Sequence, residues 1–380
     1  MTHCDLPGRV MLTVDKNILR SNFRKLAEKS APCSILSVLK ANAYGTGADV
    51  MGKLVTECGA NRIGVADLNE ALAMQKAVNN ALPIQILGVV TPDELPCAVA
   101  NDIVLPVNEL EMAKAISAEA VRQQKKVRVH FILDTGMGRF GLMQDNYLEE
   151  IKAAAKLPNL IAEGIYSHFP CAGIPGEAAT VAQIEQFKQQ YATLQSAGVE
   201  LPCRHISASD GILCQIGGSQ EPFNLVRFGL CWYGVCQTEA EKELALEPAL
   251  ALTTSVGAVR KMPAGFTIGY NRTVKLTCDT MVATICAGYA DGLPLALSNQ
   301  GRVLINGVSC PVLGRVSMDY TMIDVSNVPG EVKWGTPVTL FGRNGAEDVL
   351  PDEMAKHKNT HIHDILCALG NRVQRIYIGQ

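Results

Sequence analysis

The sequence predicts an α/β protein in two parts: an N-terminal (β/α)8 barrel of the TIM type over residues 1–237 and a mostly antiparallel β-domain over residues 238–380. Three observations predict it. In the first two-thirds of the chain, eight short apolar runs alternate with helical segments, the order that parallel βα units require. These runs lack strict polar–apolar alternation, which suits strands buried on both faces. After about residue 237, helical spacing fades and runs rich in Val, Thr and Ile take over, punctuated by Gly, Pro and Asn. An open doubly wound sheet is the alternative closure of the same units.

The barrel strands are predicted at ILSVLK (35–40), RIGVA (62–66), PIQILGV (83–89), DIVLPV (102–107), VRVHFILDTG (127–136), LIAEGIYSHF (160–169), CRHISAS (203–209) and NLVRFGLCWYG (224–234). Helical spacing lies between them, as in LNEALAMQKAVNN (68–80) and residues 181–198. In the second of these, Ile184, Phe187, Tyr191 and Leu194 recur every three or four residues and mark one apolar face. The run VMLTVD (10–15) precedes the first helix and has no barrel partner, so it is expected to join the C-terminal β-domain as an extra strand. In that domain INGV and NVPG read as turns between strands.

Bulk properties narrow the function. The net charge of -3 gives no footprint for nucleic acid or another polyanion. No apolar run reaches the roughly 18 residues of a membrane helix, and the N-terminus has no secretory pattern, so a cytoplasmic location is expected. The 13 cysteines include no CxxC pair and sit mostly in apolar runs, which reads as reduced, buried thiols. The stretch HKNTHIHD, ending at Asp364, lacks acidic or cysteine partners at ligand spacing. It reads as a surface loop, and no metal is expected.

Chemistry concentrates at strand ends. Lys40 is expected as the last residue of the first barrel strand, at the mouth where such barrels carry their active sites. A lysine desolvated there has a lowered pKa and attacks carbonyls, and covalent capture of pyridoxal phosphate is one use of that reactivity. A lysine laying its stem over apolar surface is the other reading of the position. Tyr44 follows in a turn with Gly45 and Gly47, and its phenol could donate to a phosphate. The seventh strand ends with Ser207 and Ser209, and Gly229 closely follows Arg227 in the eighth. Loops after strands seven and eight commonly bind phosphate in this fold, where small residues let backbone N–H groups approach the anion.

Taken together, VLKANAYGTG, LDTGMGRFG, YSHF, FNLVRFGLCWYG, TIGYNRTV, AGYADG and GRVSMDYTMIDVS resemble the alanine racemase family, in family order and over nearly the whole chain. The resemblance implies a (β/α)8 barrel plus a β-domain. It also implies a head-to-tail homodimer, pyridoxal 5'-phosphate as cofactor, an amino-acid substrate and a role in supplying D-alanine for peptidoglycan. By that resemblance Lys40 would hold the cofactor covalently and act as one acid/base group. Tyr44, Ser209, Gly229 and Leu230 would hold the phosphate. Arg227 would face the pyridine nitrogen, with His168 in the layer supporting it. Arg139 would sit by the cofactor's phenolic oxygen and the substrate carboxylate. From the partner subunit, Tyr270 would be the second base, Met318 would help bind the carboxylate, Tyr289 would narrow the entrance and Asp319 would order the same wall.

Racemisation needs two such groups on opposite sides of a planar carbon, with pKa values drawn down from about 10. An arginine, with a pKa above ~12, would leave the ring nitrogen unprotonated and limit side reactions that a stronger electron sink promotes.

Four positions depart from the family pattern. Thr46 replaces a histidine after the AYG turn, and Ile132 stands where some members carry a modified lysine that would orient Arg139. Ala208 replaces a polar residue. Asn371 replaces a tyrosine that touches the phosphate and crowds the substrate side chain. A smaller residue with both a donor and an acceptor suggests a roomier, more polar pocket, which makes serine a second candidate substrate. Three rival readings remain: a decarboxylase of the same architecture, which would carry a carboxylate where Arg227 stands; a cofactor-carrying single barrel, which would lack residues 238–380; and a barrel enzyme without this cofactor.

Overall fold

The computed structural model describes residues 8–174, 176–217, 220–236 and 238–380. Residues 1–7 and Gln237, where the expected domain boundary falls, lie outside the described residues.

Strand β1 (Met11–Asp15) opens the described chain. The eight barrel strands follow: β2 (Ser34–Val38), β3 (Arg62–Val65), β4 (Ile84–Ile86), β5 (Leu105–Val107), β6 (Val127–Ile132), β7 (Leu160–Tyr166), β8 (Cys203–His205) and β9 (Leu225–Phe228). They form two parallel sheets, ordered β4-β3-β2-β9 and β5-β6-β7-β8. Backbone bonds close both seams. Ile86 N donates to Val104 O at 3.0 Å and Val104 N to Ile84 O at 2.9 Å; Asn224 N donates to Arg204 O at 3.0 Å and Arg227 N to Ser207 O at 3.1 Å. The result is the predicted barrel. Every residue of β3, β4, β5 and β9 is buried, which explains why these strands read as unbroken apolar runs rather than alternating ones.

The helices follow local rules. The first spans Lys16–Ser30, where the Asp15 carboxylate accepts from Asn17 N at 2.9 Å and Ile18 N at 3.1 Å, satisfying two open donors of the first turn. It buries Leu19, Phe23 and Leu26 on one face. The helix Ala178–Ser196 buries Ile184, Phe187, Tyr191 and Leu194, the apolar face read from the spacing.

The remaining strands are β10 (Leu250–Met262), β11 (Thr267–Ile268), β12 (Val274–Lys275), β13 (Thr280–Ile285), β14 (Arg302–Ile305), β15 (Val308–Leu313), β16 (Thr321–Asp324), β17 (Pro337–Asn344), β18 (Glu347–Val349) and β19 (Gln374–Ile378). Their main sheet runs β18-β17-β14-β15-β16-β13-β10-β1-β19, and β17 also pairs with β10, closing a second ring. All pairs are antiparallel except β1 with β19. Strand β10 serves several neighbours because its register shifts at Leu252/Thr253 and again between Val256 and Ala258. Strand β1 pairs with β10 and β19, so the chain begins in the C-terminal sheet before entering the barrel.

The first barrel strand differs from expectation. It ends at Val38, and Lys40 opens a short helical turn instead of closing the strand. Ala41, Asn42, Ala43 and Tyr44 all have φ between 51° and 57°, so the turn is left-handed. Each such residue costs about 1–2 kcal/mol. Surrounding bonds offset this. Ala43 N donates to Leu39 O and Gly45 N to Ala41 O, both at 2.9 Å. The Glu70 carboxylate accepts from Ala41 N at 2.6 Å, and the Tyr233 hydroxyl donates to Ala43 O at 3.0 Å. Strand β19 grips the far end: Arg375 Nε donates to Gly45 O at 3.0 Å and the Tyr377 hydroxyl to Thr46 O at 2.8 Å.

The two glycines of the turn are explained by close packing, Gly45 against the helix Ile362–Cys367 and Gly47 against strand β19. A Cβ on Gly45 would lie 2.4 Å from Leu366 O, and one on Gly47 would lie 1.9 Å from Tyr377 Oη. Gly47 also has φ 107°, a conformation other residues adopt only with strain. Gly47→Ala should therefore destabilise the protein by roughly 2 kcal/mol or more. Gly59, at φ 91° with open space around its Cβ direction, is the control, and Gly59→Ala should cost about 1 kcal/mol. Urea denaturation of both variants checks this; equal losses would mean that β19 does not clamp the turn.

Candidate active site

A cavity of about 880 Å³ opens at the C-terminal end of the barrel strands. Its lining includes Lys40, Tyr44, Arg139, His168, Ser209, Arg227, Gly229 and Leu230, so the fold gathers all eight barrel positions singled out from the sequence. They arrive from the ends of β2, β6, β7, β8 and β9 or the loops that follow.

Lys40 faces this cavity. Burial, and then the charge of Arg139, hold its amine below the usual lysine value of 10.5. That is the direction a nucleophilic amine or a proton acceptor needs.

One wall is a notch built from small groups. A Cβ placed on Gly229 would stand 3.0 Å from Tyr44 Oη and 3.2 Å from Ser209 Oγ, so the absent side chain leaves these two hydroxyls beside bare backbone. Tyr44 is fixed edge-on against Tyr233 at 6.2 Å and against His363 at 5.5 Å. Burial raises its phenol pKa, so it stays a hydrogen-bond donor. Thr46, where the family has histidine, is buried, donates to Ala43 O at 2.7 Å and lies 3.0 Å from the Tyr233 hydroxyl. It supports the turn from behind. Ser207 is also buried and donates to Ile216 O, away from the notch.

Arg227 is buried at the centre of the barrel mouth. Its Nη2 donates to Ile206 O at 2.6 Å and Ser167 O at 3.0 Å and lies 3.1 Å from His168 Nδ1. Its Nη1 lies 2.9 Å from His205 Nδ1. Burial brings its pKa down to about 10, below the value above 12 expected of an arginine, yet the group stays a cation at neutral pH. Burial, with Arg227 next in weight, lowers the His168 pKa to about 3, so that imidazole is neutral.

Arg139 forms no ion pair among the described residues, and its guanidinium lies over the Phe140 ring at 4.7 Å. Ile132 is buried and apolar, so no charge from that position reaches Arg139. The loop carrying Arg139 is shaped by Asp134, whose Oδ1 accepts from Gly136 N and Met137 N at 2.9 Å and Gly138 N at 3.1 Å.

The remaining predicted residues lie elsewhere. Tyr270, Met318 and Tyr289 are 70%, 52% and 46% exposed, and none lines the cavity of its own chain. Tyr289 and Met318 adjoin, because Tyr289 N donates to Ser317 O and Ala290 N to Met318 O at 3.0 Å. Asp319 pairs with Arg372 at 2.8 Å, and Arg372 also holds Asp291 at 2.9 Å. Asn371, next to that arginine, is exposed and does not line the cavity.

Two sequence readings need correction. HKNTHIHD is not a surface loop. It joins the helices Pro351–Lys358 and Ile362–Cys367, and Thr360, His361, His363 and Asp364 line the cavity. The cysteines are not mainly buried: Cys231 and Cys310 are, whereas Cys97, Cys171, Cys278 and Cys367 are exposed.

Behind Arg227 lies a polar chain that sequence reasoning missed. His205 Nε2 is 3.1 Å from His130 Nδ1, and His130 Nε2 is 2.9 Å from Glu163 Oε2. Arg62 Nη1 reaches the same Glu163 oxygen at 3.0 Å. No motif announces it, because its members come from four different strands. The one available signal was a histidine in each of two apolar runs, VRVHF and CRHIS.

Comparison with known proteins agrees with this geometry. Residues 14–237 match the family described as alanine racemase, N-terminal domain, and residues 249–377 match alanine racemase, C-terminal domain. An alanine racemase of Clostridium novyi is 33% identical over 97% of this chain and 95% of its own. The crystal structure of alanine racemase from a D-cycloserine-producing Streptomyces lavendulae superposes with a TM-score of 0.91 at 29% identity, covering 99% of this chain and 98% of that one. That of Bartonella henselae, solved with covalently bound pyridoxal phosphate, gives 0.86 at 27% identity over 98% of this chain and 100% of that one. The chain belongs to the alanine racemase family.

Proposed function

We propose that this protein is a pyridoxal 5'-phosphate-dependent alanine racemase. The observation that carries the proposal is the convergence of an amine of lowered pKa, a buried arginine and a side-chain-free hydroxyl notch in one cavity. The notch fits a phosphate, since its donors Tyr44 and Ser209 flank bare backbone at Gly229 and Leu230. The donor set fits the rest of the cofactor: Lys40 for the aldehyde carbon, Arg227 for the pyridine nitrogen and Arg139 for the phenolic oxygen. When bound, the cofactor would supply delocalisation for the electron pair left as the α-proton departs.

The chain's own groups do the remaining work. Lys40 takes or returns the α-proton on one side. Tyr270 of a second copy of the chain does so on the other side. Arg139, with backbone at Met318 of that copy, would hold the carboxylate. Arg227, a cation at neutral pH, keeps a proton off the ring nitrogen and so weakens electron withdrawal. Neutral His168 adds no competing charge.

The exposure of Tyr270, Tyr289 and Met318 supports a homodimer in which one copy's β-domain completes the other's barrel. Asp319, held by Arg372, would order that wall. We read residues 1–237 and 238–380 as the two domains, with Met11–Asp15 crossing into the second. No helix among the described residues is long and apolar enough to cross a membrane, which is compatible with work in the cytoplasm on a small amino acid. A decarboxylase reading is disfavoured by the guanidinium at the position where such enzymes need a carboxylate.

L-alanine should be converted to a near-equal mixture of enantiomers, followed by chiral chromatography. Lys40→Ala should abolish conversion, and Tyr270→Phe should reduce it by at least about 100-fold. Release of CO2 in place of racemisation would overturn the proposal.

A lowered Lys40 pKa enlarges the neutral fraction at any pH below the ordinary value. Capture of pyridoxal phosphate by the cofactor-free chain, trapped with borohydride and mapped to Lys40, should rise with pH to a half-maximum below 10.5. A midpoint at or above that value would contradict the cavity's effect on the amine.

Serine is the second substrate reading; it rests on the family's tyrosine being an asparagine at position 371, a residue that is exposed and outside the cavity lining of its own chain. Asn371→Tyr should lower the ratio of kcat/KM for L-serine to that for L-alanine by roughly tenfold. An unchanged ratio would remove serine from the proposal.

A further inference from the structure

We propose that Glu163 is a positioning residue: it fixes the tautomers of His130 and His205 and thereby keeps Arg227 bonded in place at the barrel mouth.

The argument starts from donor and acceptor inventories. A guanidinium only donates, so His205 Nδ1, 2.9 Å from Arg227 Nη1, must accept. A neutral imidazole has one N–H, which is then on His205 Nε2. That atom lies 3.1 Å from His130 Nδ1, so Nδ1 must accept in turn. The His130 proton is therefore on Nε2, 2.9 Å from Glu163 Oε2, and the carboxylate ends the series as an acceptor. Every donor points away from Arg227. The opposite order would set a His205 N–H against an Arg227 N–H.

Backbone geometry puts Glu163 there. Val129 pairs with Ala162 and His130 with Gly164, so Glu163 is an extra residue in a β-bulge of β7. A bulge re-aims its side chain, here to His130 and Arg62. The next residue makes room for the ring: a Cβ on Gly164 would lie 2.5 Å from His130 Cε1.

A competing donor gives Glu163 its importance. Arg62 Nη1 lies 3.2 Å from the same His130 Nε2 and also bonds Gln85 Oε1 at 3.1 Å. Without the carboxylate, Arg62 is the donor nearest to Nε2. It would drive the His130 proton to Nδ1 and reverse both rings. The charged and titratable groups facing the chain are Arg62, Arg128 (3.7 Å from Glu163), Cys203 beside Arg62, Tyr166 stacked on His205 at 4.6 Å, and Arg227.

Protonation states fit. Burial, with nearby arginine charge, lowers the pKa of both His130 and His205, so the rings are neutral. Burial opposes ionisation of Glu163, but hydrogen bonds from His130 and Arg62 prevail and bring it to about 2.

The test is tautomer assignment by long-range 1H–15N NMR of the holoenzyme carrying 15N-histidine, with signals identified by His130→Gln and His205→Asn. Both rings should be Nε2–H, unchanged between about pH 6 and about pH 8. Glu163→Leu should convert both to Nδ1–H. Glu163→Gln, whose amide oxygen still accepts, should not. Adding Arg62→Met to Glu163→Leu should restore Nε2–H, since the competing donor is gone. An Nδ1–H ring in the wild type, or Nε2–H retained in Glu163→Leu, overturns the proposal. If Glu163→Leu does not fold, the wild-type assignment and the double variant decide.

The consequence for catalysis rests on the racemase reading, whereas the tautomers do not. In Glu163→Leu, kcat for alanine should fall on the order of ten- to hundredfold, with Glu163→Gln close to wild type. Correct tautomers without racemisation would defeat the functional reading alone; racemisation with the wrong tautomers would defeat this one alone.

Discussion

The left-handed turn from Ala41 to Tyr44 is the constraint on which the site depends. It carries the chain off β2 and sets Tyr44 beside the notch at Gly229, immediately after Lys40, which lines the cavity. Four consecutive non-glycine residues in this conformation do not hold by themselves. The Glu70 carboxylate ties the turn to the next βα unit, and it also accepts from Ala66 N at 2.9 Å. Strand β19 then clamps it from the other sheet. The last strand of the chain thus braces the turn that follows a cavity lysine more than 300 residues earlier, which ties barrel and β-domain together.

Charge placement follows a consistent logic. Lys40, Arg139 and Arg227 all face one cavity, and their mutual repulsion, added to burial, makes the amine easier to deprotonate. The same field keeps His168 neutral. A phosphate and a carboxylate are the ligands such a cavity favours, and each would relieve the repulsion. Arg139 has Phe140 under its guanidinium and a buried isoleucine where a charged partner could have stood. The loop that carries it is held by backbone N–H groups of Gly136, Met137 and Gly138 on the Asp134 carboxylate.

Fold class and strand positions were legible because barrel strands buried on both faces leave continuous apolar runs, and eight such runs were visible. Strand ends were less legible. The ILSVLK run gives no local sign that Leu39 leaves the sheet and that Lys40 begins a turn, since the left-handed conformation is enforced by Glu70, Tyr233, Arg375 and Tyr377 from distant segments. The HKNTHIHD stretch misled for a related reason. Its polarity resembles a loop, yet His363 packs edge-on against Tyr44 and lines the cavity. The eight barrel positions were found because each sits in a short motif. The His205–His130–Glu163 chain was not, because its order exists only across strands.

The two halves of the proposed site differ in how they are held. Arg227 sits on a buried strand and has four fixed partners, so its direction is determined by covalent geometry and hydrogen bonding within one chain. Tyr270 lies on an exposed turn opened by Gly269 at φ 69°, followed by Asn271 at φ 59°. Such a turn presents a phenol outward but does not bury it. Burial, and with it any lowering of polarity around that hydroxyl, must come from the surface it meets. The proposed two-base reaction asks for comparable groups on both faces of one carbon, yet Lys40 lines the cavity of its own chain and Tyr270 is exposed outside it. In the proposed reaction, assembly with a second copy would bring both to one substrate, and the quaternary contact would then be part of the catalytic geometry rather than a source of stability alone.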